Sequence, residues 1–223
     1  MRDFFQEQMK ALHRELTMMG AACEEIIAAA SEFLTEWDES LVEKVKQIGA
    51  QIDESESTIE DICMKLLLRQ QPVARDLRQI GAAMKMITDM ERIGDQAEDI
   101  VDIVPSMTVS PDEQFPEIRG MAKAAQAMVT EAVDAYVKQD LELARNVMAY
   151  DDVVDDYFAR VKQDIIRMIA DQPAQGEDAL DMLMIAKYFE RIGDHCTNIA
   201  EWVEFSVTGI HRDCQCTRID SER

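Results

Sequence analysis

Met-Glu-Arg-Ile-Gly-Asp-Gln-Ala-Glu-Asp-Ile-Val at 90–101 and Phe-Glu-Arg-Ile-Gly-Asp-His-Cys-Thr-Asn-Ile-Ala at 189–200 are two versions of one segment, set 99 positions apart. Self-similarity at so long a period marks a repeated supersecondary unit. The correspondence continues upstream. Gln71 and Pro72 answer Gln172 and Pro173, and Ile52 and Asp53 answer Val154 and Asp155. Asp38, Glu39, Ser40 and Leu41 answer Asp140, Leu141, Glu142 and Leu143, these earlier matches lying at offsets of 101 to 102. The drift in offset predicts a shorter turn in the second half.

Prolines fall where such a scheme needs punctuation. Pro72 and Pro173 precede the third helix of each half, and Pro105, Pro111 and Pro116 lie between the halves. Proline lacks the amide proton that a helix interior uses, so helices end at these points. The chain therefore reads as six helices, roughly 3–36, 38–70, 73–104, 116–137, 139–171 and 176–207. Leu77, Ile80, Met84, Ile87 and Met90 recur at helical spacing, as do Leu180, Leu183, Met184, Tyr188 and Ile192, and each set predicts a core face. The fold class expected is all-α, two tandem three-helix bundles. The first repeat occupies 1–107, the second 108–207, and 208–223 is a tail that loses the period.

Composition narrows the function classes. A formal charge of −22 repels nucleic-acid phosphates, which excludes DNA and RNA as partners. No apolar run approaches the length that spans a bilayer, and the first residues lack a signal-peptide pattern, so the expected location is the cytoplasm. Cys23, Cys63, Cys196, Cys214 and Cys216 are odd in number and mostly embedded in helical pattern, reading as reduced thiols.

Carboxylates four apart stack on one helix face. Glu91, Asp95, Asp99 and Asp102 form one such line, and Glu190, Asp194, Asn198 and Glu201 its counterpart. Asp151 and Asp155 repeat the spacing on the preceding helix of the second half, with Asp152 and Asp156 beside them. Like charges at this spacing repel by a few tenths of a kcal/mol per pair. A solvated face in an acidic protein is the plain alternative, but identical Glu-Arg-Ile-Gly-Asp cores in both halves favour a bound multivalent cation held by oxygen ligands. Zinc would ordinarily call for more His or Cys. Gly94 and Gly193 sit between the two acids of each core and predict close approach by another helix or a ligand, while Arg92 and Arg191 read as partners of neighbouring acids. His195 falls off the acidic line.

Gln-Pro-Val-Ala-Arg-Asp-Leu-Arg at 71–78 followed by Glu-Arg-Ile-Gly-Asp at 91–95, repeated more loosely in the second half, resembles the PhoU family of phosphate transport system regulatory proteins over about residues 5–207. The resemblance implies two three-helix bundles related by pseudo-twofold symmetry. It implies a non-catalytic regulator that restrains phosphate-starvation signalling, acting between a phosphate ABC transporter and a membrane sensor kinase, and reaching the membrane only through these partners. It also implies multinuclear iron or zinc, held by paired Glu/Asp-x-x-x-Asp motifs that match Asp151 with Asp155 and Glu190 with Asp194. Other divalent cations and a homodimer are compatible with it.

The first half departs from that pattern, since Gly49 stands four residues before Asp53 where an acid is expected. Glu56 could supply a carboxylate instead, and the first site is expected to be weaker, differently built or empty. Cys214, Cys216 and His211 fall outside the resemblance. A ferritin-like di-iron enzyme would need a Glu-x-x-His pair on two helices, which this chain lacks. A metal-free helical scaffold whose acidic face binds basic partners remains the alternative.

Overall fold

The computed structural model describes residues 2–70, 73–107 and 115–210, so Gln71, Pro72, Pro111 and the tail carrying His211, Cys214 and Cys216 lie outside the described residues. Six α-helices run in chain order: α1 Arg2–Glu36, α2 Glu39–Gln70, α3 Ala74–Ile103, α4 Pro116–Lys138, α5 Leu141–Asp171 and α6 Gly176–Thr208. One-turn 3-10 segments, Val104–Ser106 and Pro173–Gln175, follow α3 and precede α6. No strand occurs among the described residues, and each half contributes three helices, as the repeat requires.

The two turns between the first and second helices use the same chemistry. Trp37 and Gln139, at matching places in the repeat, close α1 and α4 with left-handed φ values of 52° and 55°. For a non-glycine residue that conformation costs on the order of 1–2 kcal/mol. Next in sequence, the Asp38 carboxylate accepts from Ser40 N at 2.9 Å, and the Asp140 carboxylate accepts from Glu142 N at 3.0 Å and Leu143 N at 3.1 Å. These are N-caps, which satisfy amides that a helix start leaves without intrahelical partners. The backbone amide of Ser40, helped by its side chain, holds the Asp38 carboxyl below the usual range.

Packing is shared between the halves. α3 and α6 form the most extensive helix pair and run antiparallel, since Asp89 meets His195 whereas Asp99 meets Tyr188. α1 packs on α4 beside them, and one continuous apolar cluster runs from Leu12, Leu16 and Ile26 through Ile87 and Met128 to Phe189 and Val203. Cys23, Cys63 and Cys196 are buried in it and unbridged.

The predicted core faces need correction at their ends. Ile80, Ile87, Met90 and Ile192 are fully buried, but Leu77 is 46% exposed, Leu180 58% and Met184 44%. The face α6 buries instead carries Met182, Ile185, Ala186 and Phe189. α6 packs against α3, α4 and α5, so its apolar arc is wide, and a single stripe read from sequence picks one edge of it.

Asp140→Ala removes both cap hydrogen bonds of α5. It should destabilise the chain by about 1 kcal/mol, lowering the melting temperature by roughly 2–4 °C in a calorimetric scan.

Candidate functional site

The acids of the repeat collect along two grooves, one between α2 and α3 and one between α5 and α6. In the second groove, α5 brings Asp151 and α6 brings Glu190 and Asp194 by the four-residue period, with Asp155 one turn beyond Asp151. Asp151 lies against the backbone of Gly193: a Cβ built there would sit 3.0 Å from Asp151 Oδ1 and 3.4 Å from Val154. Gly193 thus serves the close approach its position in the motif predicts. Burial pushes the Asp151 carboxyl up to about 6, helped by the charges of Asp155, Asp194 and Glu190. The buried Thr197 hydroxyl lies beside Asp151 and pulls weakly the other way, without a well-formed hydrogen bond of its own. Asp194 is raised by burial first and by Glu190 next. The Lys187 ammonium bonds Glu190 and stands 5.6 Å from the ring centre of Phe158.

The first groove gathers Asp53 and Glu56 from α2 with Glu91, Asp95 and Glu98 from α3. Burial raises the Glu91 carboxyl, then Asp95, Glu56 and Asp53 act on it in the same direction. Glu56 is raised by burial and by Glu60 and Asp53, and it accepts from the Thr88 hydroxyl at 3.5 Å. Arg92 bonds Asp95 at 3.2 Å and lies 3.5 Å from Glu91, the local pairing expected of it. Its side chain is 54% exposed, so such pairs are worth under about 1 kcal/mol and leave the groove strongly acidic. Asp102 is paired with Lys46 at 3.5 Å on the exposed rim. Gly94 receives Ile52, whose Cδ1 would lie 3.3 Å from an added Cβ.

Two members of the predicted lines face elsewhere. Asp99 turns to α6, where the neighbouring Tyr188 hydroxyl and Arg191 favour its charged form against burial. Asn198 turns to α3 and donates to Asp89 at 3.1 Å, beside the 2.9 Å contact of His195 Nδ1 with the same carboxylate. The repeat relates Asp89 to Tyr188 and Asp99 to Asn198, so these are the two symmetry-related halves of the α3–α6 contact. The groove-facing line on α3 is instead Glu91, Asp95, Glu98 and Asp102, stepping by four, three and four. A strict step of four drifts around a helix of 3.6 residues per turn, so it selects Asp99 and passes over Glu98. Glu201 lies one turn further along α6 and is partly exposed.

Among the described residues, no three His, Cys, Asp or Glu side chains close on a single point as they stand. The donor set nevertheless suits a hard cation: it is all oxygen, it comes from two helices at each groove, and in the second groove it includes the buried Thr197 hydroxyl. No helix among the described residues is long and apolar enough to cross a membrane.

Known proteins share this architecture. A family model described as the PhoU domain matches twice, at residues 16–104 and 118–203. The phosphate-specific transport system accessory protein PhoU homolog of Clostridium acetobutylicum is 32% identical, over 93% of this chain and 96% of its own length. The homolog of the same name from Pseudomonas aeruginosa is 31% identical, over 98% of this chain and 91% of its own. The crystal structure of PhoU from Pseudomonas aeruginosa superposes with a TM-score of 0.83 at 31% identity, covering 92% of this chain and 100% of that one. That of the phosphate transport system regulatory protein PhoU from Streptococcus pneumoniae, at 24% identity and a TM-score of 0.84 over 93% and 98% of the two chains, shares the fold.

A carboxyl raised in the folded state binds its proton more tightly there than when unfolded, so the stability it confers is lost as pH rises through the folded value. For Asp151 that window runs from the ordinary Asp range up to about 6. In chelator, Asp151→Asn should therefore melt roughly 2–4 °C above the unsubstituted chain at about pH 7.5, the effect of about 1 kcal/mol after discounting for solvent screening. The difference should shrink at about pH 4, where both carry a neutral side chain.

Proposed function

The chain belongs to the PhoU family, and on that footing we propose that it regulates phosphate uptake, damping phosphate-starvation signalling through a phosphate ABC transporter and a membrane sensor kinase. The observation that carries this reading is the match along 93% of this chain and 96% of a relative named as an accessory protein of the phosphate-specific transport system. The role is regulatory, and no catalytic residue is assigned. A strongly acidic surface suits work at a protein interface in the cytoplasm and is a poor match for nucleic acid.

The two carboxylate grooves supply the second part of the proposal. Asp151, Asp155, Glu190 and Asp194 would hold a multinuclear iron or zinc centre, or another divalent cation, with Glu201 at its edge. Bound there, the metal would supply positive charge against four carboxylates that otherwise repel in a half-buried groove. The chain's own part is to hold the four side chains on two helices, with Gly193 leaving room for Asp151 and Lys187 giving up its bond to Glu190.

Deletion of the gene should make phosphate-starvation genes active in phosphate-replete cells, and unchanged expression would overturn the regulatory reading. Protein purified without chelator or nickel resin should carry metal by elemental analysis. The Asp155→Asn, Asp194→Asn double variant should lose the second groove's share and the corresponding metal-dependent rise in melting temperature. Metal content equal to that of the unsubstituted chain would refute the assignment.

A further inference from the structure

We infer that the α2–α3 corner of one copy of this chain docks on the α5–α6 corner of the next, in an end-to-end contact centred on Leu77 of one and Gly176 of the other. This goes beyond the phosphate and cation readings above and depends on neither.

Both corners expose apolar side chains. At the first, Leu68 is 77% exposed and Val73 67%, beside Leu77; at the second, Ile166 is 61% exposed, near Ile169 and Leu180. Ile169, Pro173, Gly176, Glu177 and Leu180 line an open groove of about 580 Å³. A cavity of about 150 Å³ holds benzene, so this groove has room for several aliphatic side chains. Exposed apolar patches of this kind mark sites of association. α3 and α6 run antiparallel and α6 is 33 residues long, so the two corners stand roughly 50 Å apart, at opposite ends of the bundle. They cannot meet within one chain.

How the corners differ shows what covers them. The third helices align at an offset of 99, which relates Leu77 to Gly176, Arg78 to Glu177 and Gly81 to Leu180. Leucine corresponds to glycine twice, with the roles reversed, and cation corresponds to anion once. A Cβ built on Gly81 or on Gly176 meets nothing within 4 Å, so each glycine is an open gap in the surface. When the unlike corners of two copies face one another with equivalent positions near a common axis, Leu77 enters the gap above Gly176 and Arg78 comes beside Glu177. Neither charge has an ion-pair partner among the described residues, and the buried Arg78 Nε has no hydrogen-bond partner. Like corners would set Arg78 against Arg78, or Glu177 against Glu177.

Charge therefore selects a second copy as the occupant. In sequence, Lys65, Arg69, Arg75 and Arg78 outnumber Asp61 and Asp76 at the first corner, whereas Asp164, Asp171, Glu177, Asp178 and Asp181 outnumber Lys162 and Arg167 at the second. A chain of net charge −22 is repelled by anionic lipid, yet its own ends attract one another. End-to-end placement limits the approach of the acidic flanks, and salt screens exposed charges farther apart than about 8 Å. The two surfaces differ, so the contact is heterologous and builds open chains of molecules unless it closes into a ring.

The test is sedimentation velocity of the full chain over roughly 10 μM to 1 mM, the range in which a small contact dissociates. The sedimentation coefficient should rise with concentration. Leu77→Asp at one corner and Gly176→Gln at the other should each weaken self-association at least ~10-fold, the worth of one buried aliphatic side chain. Gly176 has φ −63°, which any residue adopts, so its substitution leaves the fold intact. Glu177→Arg should weaken association without reshaping the groove. If Leu77→Asp lowers the melting temperature, Leu68→Asp at its more exposed position takes its place. Mixing the Leu77→Asp and Gly176→Gln proteins should restore association and stop it at dimers, because each supplies the corner the other lacks. A chain that stays monomeric at every concentration would overturn the inference. So would undiminished self-association of either variant alone, which marks contact between like corners, or a mixture that stays monomeric.

Discussion

The structure depends on the antiparallel contact between α3 and α6. Each of these helices is the third of its half, and each must divide its circumference among three neighbours. α3 packs against α1, α2 and α6, and α6 against α3, α4 and α5. Apolar residues fill the shared interior, from Met86 and Met90 on one side to Phe189 and Ile192 on the other. Such buried side chains each contribute about 1.5–3 kcal/mol. Polar side chains then pin the register at two symmetry-related points, Asp89 with His195 and Asn198, and Asp99 with Tyr188. What remains of each third helix is a narrow arc facing the second helix, and that arc carries the groove acids.

This division explains how far the sequence could be read. The repeat, the six helices and the all-α fold were legible because proline placement and a duplicated twelve-residue segment are local signals. Helix ends agreed closely, the differences at Asp38 and Asp140 arising because both residues are caps outside the helix. The acids of the second groove were also legible, since Asp151 faces Glu190 and Asp194 as the four-residue spacing implies.

Where sequence reading fell short, the cause was rotational. A rule of fours advances by 400° per step and slips by 40°, so its third member has already left the groove. That rule assigns Asp99 and Asn198 to the grooves, yet both belong to the α3–α6 contact. Leu180 and Met184 were placed in the core for a related reason, the difficulty of locating one face on a helix buried on three sides. Glu98 could have been found by letting the step alternate between four and three, the spacing that keeps a helix face turned to one neighbour. Its closeness to Gly49, where an added Cβ would fall 1.7 Å from Glu98 Oε1, could not, because the reach of a side chain across a groove has no one-dimensional signature.

The repeat relates Gly49 to Asp151 and Glu98 to Thr197, and this crossed placement of the acid bears on how two such halves diverge. If both descend from one ancestral three-helix segment, the first half and the second have since fixed opposite members of a coupled pair, Gly49 with Glu98 and Asp151 with Thr197. Neither member can change alone without either crowding two side chains into one space or leaving the position without a carboxylate. A recombination event that copied α5 over α2, leaving α3 untouched, would place an aspartate where Glu98 already lies. Copying α2 over α5 would leave the second groove one carboxylate short. The halves share a fold and a motif, yet their second helices are no longer interchangeable parts.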